Sequence, residues 1–231
     1  MADRYYRFTG GGGIPDGIKY LLIWNGIVYL LQKILAHSGF FLEPLFGMVP
    51  VDFWQGHVWQ CVTYMFLHGG IFHILINMFI LWMFGSDLER ILGTRRFIAC
   101  YFFSGVGAGL LNAAVTPHAP IPTVGASGAI YGVLVGYALY FPERRVLLYF
   151  FIPIPVRVFV LIFGVIELLS AITLPGDSIA HVAHLGGLFF GWIFLRWRAP
   201  NNLWQRWAWR RRRKHLRVVD FTRDNSQDRW R

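Results

Sequence analysis

The sequence predicts an all-α membrane protein built from six transmembrane helices, and three observations carry that reading. The 231 residues are 55% hydrophobic, 18% aromatic and only 15% charged, too little polar surface for a soluble globule of this size. Six apolar runs, at about 17–36, 71–87, 97–115, 124–141, 156–173 and 179–197, are each near the ~20 residues that cross a bilayer core. The cations gather in alternate connections, as they do when successive helices reverse direction across a membrane.

Taken in order, residues 1–16 are polar and rich in glycine. They read as a flexible cytoplasmic N-terminus with no cleavable signal ahead of the first helix. The stretch 54–67 is also apolar but is interrupted by His57, Gln60 and Thr63, which suits a helix lying partly in the interface. Cys61 and Cys100 fall in different apolar segments and read as small packing residues. Residues 17–197 thus form the membrane domain, and 198–231 a basic cytoplasmic tail.

Arg90, Arg95 and Arg96 follow the second helix, Arg144, Arg145 and Arg157 follow the fourth, and both ends are basic. Segments 38–70, 112–126 and 172–183 hold no Lys or Arg. The positive-inside rule then puts both termini in the cytoplasm and starts helices 2, 4 and 6 on the outer side. Lys33 lies at the outer end of helix 1, where it can snorkel.

That topology gives the intramembrane polar residues a common depth. Counting 1.5 Å per residue to the cytoplasmic arginine of each helix puts His73, Ser127 and His184 about 25, 25 and 18 Å away. Polar groups inside a membrane are costly and point to function. Ser127 stands in Gly125-Ala-Ser-Gly-Ala-Ile-Tyr-Gly132, where glycines let a backbone approach a hydroxyl nucleophile. A serine needs a neighbouring base, and His184 is placed to serve. Gly187 and Gly191 share its helical face, and Gly128, Gly132 and Gly136 form a matching stripe on helix 4. Packing the stripes together brings Ser127 beside His184, with Tyr131 against the imidazole. The Ser127 amide at a helix N-terminus, Asn77 and His73 would meet an oxyanion.

These residues resemble a known family, the rhomboid intramembrane serine proteases in their bacterial six-helix form. The resemblance rests on His68-Gly-Gly-Ile-Phe-His73-Ile-Leu-Ile-Asn77, on Gly125–Gly132, on Ala183-His184-Leu-Gly186-Gly187 with Gly191, and on Gly85-Ser-Asp-Leu-Glu89-Arg90-Ile-Leu-Gly93 as the connection after helix 2. It implies a six-helix rhomboid bundle, with 38–67 as a membrane-embedded first loop. It also implies a Ser127–His184 dyad without a third acid, His73 and Asn77 as oxyanion residues, and Gly125 and Tyr131 as support. The implied substrates are transmembrane proteins cut near the outer boundary of a bacterial inner membrane, reaching the site between helices 2 and 5. Gln60 departs from the pattern, since many members carry an arginine there beside a tryptophan.

Other readings weigh less. His181 has poorer glycine spacing than His184, and His68, in glycine-rich backbone, suits structural bonding to the loop. A zinc site from His68, His73 and His184 fails because five-residue spacing does not put two histidines on one helical face; no metal or cofactor is expected. Glu167, an intramembrane acid on helix 5, reads as satisfied by a hydrogen bond within the bundle. A transporter would need polar residues along a path, and these gather in one pocket. An inactive rhomboid-like escort protein would be expected to lack the serine or the base, and both are here. The tail, with Trp207-Ala-Trp-Arg-Arg-Arg-Arg-Lys214, suits anionic lipid headgroups better than nucleic acid. Substrates should carry helix-breaking residues near the cut, because a formed helix engages its carbonyls in hydrogen bonds.

Overall fold

The structure, a computed structural model, describes residues 13–148, 151–173 and 178–197. The basic tail and most of the glycine-rich lead therefore lie outside the described residues. Six long helices stand where the apolar runs are: α1 (Asp16–His37), α2 (Ile71–Leu92), α3 (Thr94–Val115), α4 (Ser127–Tyr140), α5 (Val156–Thr173) and α6 (Ser178–Trp197). Of these, α1, α2, α3 and α5 are long and apolar enough to cross a membrane. α4 has 14 residues and rises only about 21 Å.

α3, α4 and α6 pack on one another and form the centre. There Tyr101, Ala129, Ile130 and Val133 are buried together with Tyr64 and Met65 from the first loop. α5 stands at the edge against α6 and α4 and buries only Val156 and Glu167. The outward faces carry Leu30, Ile34, Phe72, Ile76, Leu161 and Leu169, all exposed, which lipid can cover.

α2 runs further than its apolar run suggests. It widens into a π turn at Leu81–Gly85 and continues through Ser86–Leu92, so the motif expected to be a connection is helical. The true connection is Gly93, whose φ of +79° a helix cannot accommodate. Within that last stretch, the buried Glu89 carboxylate accepts the amides of Gly17 and Ile18, both at 2.8 Å, and the Thr94 hydroxyl at 2.7 Å. A carboxylate at the α1 N-terminus satisfies donors the helix leaves open and meets its positive dipole end. Nearby, Asp87 pairs with Arg144 and with Arg90 and accepts the Tyr137 hydroxyl at 3.2 Å, tying α2 to the end of α4.

Two further segments differ from the sequence reading. The stretch 54–67 is not one interfacial helix: Gly56, at φ +110°, breaks it, and only short turns form at Pro50–Trp54, Gln60–Thr63 and Tyr64–Phe66. Between α4 and α5 the chain makes an antiparallel hairpin, β1 (Arg145–Leu148) against β2 (Ile152–Pro155), a small exception in an otherwise helical fold. Pro153 and Pro155 lie in β2 and can donate nothing to the ladder, as expected of strands with open edges.

Gln60, which stands where the resemblance expects arginine, anchors the loop together with Trp59 and Thr63. Its Oε1 accepts the Val49 amide at 3.0 Å, while Trp59 donates to the Leu45 carbonyl and Thr63 to that of Phe46. Gln32 of α1 brackets His68 from both sides, accepting its amide at 3.1 Å and donating to its carbonyl at 2.9 Å.

Candidate active site

Ser127 is the first residue of α4, three residues later than the apolar run begins, because Gly125 at φ +126° cannot be helical. The approach to it is fixed from several sides. Gly125 donates to the Tyr64 carbonyl at 2.9 Å, Met48 and Thr123 exchange backbone bonds at 2.9 Å, and Asn112 donates to the Thr123 hydroxyl at 3.1 Å. Since α4 is about 9 Å shorter than a ~30 Å core, a helix end must lie inside the membrane span. The N–H groups of its first turn have no intrahelical partners and favour negative charge.

The two glycine stripes meet as their spacing predicts. A Cβ on Gly191 would come 2.5 Å from the Gly132 Cα, and one on Gly187 would overlap the Gly128 carbonyl oxygen. With the backbones this close, His184 Nε2 lies 2.8 Å from Ser127 Oγ. The Tyr131 ring stacks on the imidazole, centroids 4.5 Å apart and planes 20° apart.

His73 and Asn77, one turn apart on α2, border the same space. A Cβ on Gly125 would stand 2.8 Å from His73 Nε2 and 3.7 Å from Asn77 Nδ2. Gly69 donates its amide to His73 Nδ1 at 3.3 Å, so the ring proton is on Nε2, the nitrogen facing Gly125. Asn77 is buried and its Nδ2 has no hydrogen-bond partner. Two unspent N–H donors therefore face the start of α4.

His68 is wholly buried with its ring edge toward His73, centroids 5.1 Å apart. Burial, and after it His73, pulls the pKa of its imidazole down to about 4. Its backbone is held by Gln32 of α1.

Behind His184, away from the serine, sits Glu167 of α5. Its Oε1 lies 3.0 Å from His184 Nδ1, a close approach whose direction is off the hydrogen-bond line. The same oxygen accepts the Tyr131 hydroxyl, and Oε2 lies 2.5 Å from His181 Nδ1. The resemblance implies a dyad with no acid; here a carboxylate faces the second nitrogen of the base. His181 contacts this carboxylate, while His184 is the histidine that reaches Ser127.

Among the described residues, the donors that converge as a metal could require are Glu167, His181 and His184, within 4.8 Å of one another. Two imidazoles and a carboxylate are a zinc-type set. Each Nδ1 already faces a carboxylate oxygen, His181 through a hydrogen bond and His184 through the off-line contact. Cys61 and Cys100 are unpaired.

The profile of the Rhomboid domain matches residues 55–199, which contain every residue of this site. The chain belongs to the rhomboid family. It is 32% identical over 134 residues to Rhomboid protein 1, mitochondrial, of Saccharomyces cerevisiae, covering 56% of this chain and 38% of that one. Identity is 30% over 168 residues to the Presenilin-associated rhomboid-like protein, mitochondrial, of Bos taurus, covering 70% and 42%. With the Rhomboid protease GluP of Bacillus subtilis it is 38% over 86 residues, covering 37% and 16%. The chain spans less than half the length of each of these relatives. Rhomboid membership and the apolar helices make it an integral membrane protein.

The residue of this rhomboid site that sequence reading assigned a bonding role in the bundle, and not a place beside the base, is Glu167, whose expected hydrogen bond is the one from Tyr131. Its signal was the cost of an acid in an apolar helix. What the sequence does not show is the rotation of α5 that turns the carboxylate toward α4 and α6 in place of lipid.

Proposed function

We propose that this rhomboid is an intramembrane serine endopeptidase that cuts transmembrane proteins near the outer membrane boundary. The observation that carries the reading is the 2.8 Å contact between Ser127 Oγ and His184 Nε2, made across two helices whose glycines hold their backbones together. An acceptor carboxylate on the Nδ1 side supports a proton on Nδ1, which leaves Nε2 free to accept the serine hydroxyl.

In this mechanism His184 Nε2 takes the Ser127 proton as Oγ attacks the peptide carbonyl carbon. The oxyanion is met by the Ser127 amide, Asn77 Nδ2–H and His73 Nε2–H. Gly125, having no side chain, leaves room for that oxygen. His184 then passes its proton to the leaving amine and the C–N bond breaks. Water attacks the acyl ester, giving its proton to Nε2, and Ser127 regains its hydrogen as the acid departs.

The distribution of arginines supports cytoplasmic termini, and the family resemblance supports a bacterial inner membrane. The arginine-rich stretch after α6 suits anionic headgroups on that face. The test is a fluorophosphonate probe on the purified protein with cleavage of a single-helix substrate alongside. Labelling and cleavage are expected in the wild type and neither in Ser127→Ala; cleavage is expected to be lost in His184→Ala. Labelling that survives Ser127→Ala overturns the assignment, and binding of the substrate without any cleavage by the wild type leaves an escort role.

A further inference from the structure

Glu167 is a buried acid contributed by the helix with the fewest buried residues in the bundle, and all its described partners belong to the candidate site. One carboxylate oxygen accepts the Tyr131 hydroxyl and lies 3.0 Å from His184 Nδ1; the other lies 2.5 Å from His181 Nδ1. Tyr131 is also the ring stacked on His184. Among the described residues, the side chains in polar or ring contact with His184 are Ser127 and Tyr131 from α4, Glu167 from α5 and His181 from its own helix. Glu167 is the only carboxylate among them.

We propose that Glu167 is a positioning residue for the base, making the site a Ser127–His184–Glu167 triad with Tyr131 and His181 steadying the carboxylate. The inference rests on the serine-protease reading above. A carboxylate at Nδ1 fixes the imidazole tautomer that exposes a bare Nε2 to the serine, and it stabilises the imidazolium formed during attack. Tyr131 and His181 act on the carboxylate in turn: each donates to a different oxygen, so neither oxygen is free to turn away. The off-line contact at 3.0 Å needs a small ring or carboxylate rotation to become a hydrogen bond, as such bonds in resting enzymes often do when substrate binds. Because α5 is held by few buried residues, alignment of the base depends on α5 being seated.

The test uses the full chain in proteoliposomes with EDTA present. Glu167→Gln keeps the shape but turns one oxygen into a donor, and kcat is expected to fall by roughly a hundred- to ten-thousand-fold with KM little changed. Glu167→Asp should recover part of the loss. Nitrogen-15 NMR of labelled histidine in the wild type should show His184 protonated on Nδ1 and bare on Nε2, and this readout needs no variant to fold. A Glu167→Gln enzyme within about threefold of wild-type kcat overturns the proposal, as does the opposite tautomer of His184. Activity that vanishes in EDTA and returns with zinc overturns it too, because the three groups would then be a metal site. Ser127→Ala, run in parallel, isolates failure of the serine reading from failure of the role given to Glu167.

Discussion

Gly187 of α6 lies so close to Gly128 of α4 that any Cβ on it would occupy the space of the Gly128 carbonyl oxygen. The contact stands one turn from the pair it serves, so the Ser127–His184 distance is set by a glycine that takes no part in chemistry. Gly187→Ala should separate the helices, costing about 1–3 kcal/mol of stability by overpacking and sharply reducing fluorophosphonate labelling. Gly164→Ala on α5 is the control, since a Cβ there meets Leu188 at an ordinary 3.4 Å. Equal labelling rates for the two variants would show that backbone contact does not set the site.

Asn77 should trade stability for activity. Its Nδ2 is buried without a partner, so the resting fold gains little from it. Asn77→Ala is expected to lower kcat by about 10²- to 10³-fold, the usual loss for one oxyanion donor, while thermal stability stays level or rises. A variant that unfolds earlier with kcat unchanged would make Asn77 a structural residue.

How much of this could be read from sequence depended on whether the signal was local. Ser127 and His184 were legible because four-residue glycine spacing on two helices leaves few ways to pack them, and His73 and Asn77 because they are four apart on one face. The hairpin at 145–155 was hidden by its own prolines, which interrupt the strand pattern. The apolar run begins three residues before α4, but the helix starts at Ser127, as the reading of its amide as a helix N-terminus requires, because Gly125 has a backbone angle that excludes a helix. Glu167 was seen as a residue that needed a partner, but its partners come from two other helices, and their relative rotation is a property of packing.

Gln60 takes on the anchoring that an arginine would be expected to provide. Its Oε1 is the hydrogen-bond acceptor of the buried Val49 amide. Gln60→Leu keeps the bulk but removes the acceptor, and leaving that N–H unpaired should cost about 1–3 kcal/mol. Limited proteolysis should then cut within 43–60 faster than in the wild type. Unchanged proteolysis would show that the bonds from Trp59 and Thr63 are enough.

Glu89 should matter more to the fold than any other exchange considered above, though it is remote from Ser127 in sequence and makes none of the site's contacts. Its carboxylate, 2% exposed, holds two α1 amides and the Thr94 hydroxyl, joining three helices at one point. Glu89→Ala removes both acceptor oxygens and the three bonds they take, strands the two buried α1 amides away from water and takes the negative charge from the α1 N-terminus. The expected loss is about 2–6 kcal/mol, at about 1–3 kcal/mol for each of the two stranded amides, read as a fall in the melting temperature of the purified protein. Glu89→Gln offers one acceptor oxygen where there were two and no charge, so it should fall between. Because Gly17 approaches the carboxylate to within 2.9 Å of where a Cβ would be, Gly17→Ala should push the acid aside and reproduce part of the same loss. If Glu89→Ala melts with the wild type while Gly17→Ala does not, the close packing of α1 against α2, and not the carboxylate bonds, holds that corner.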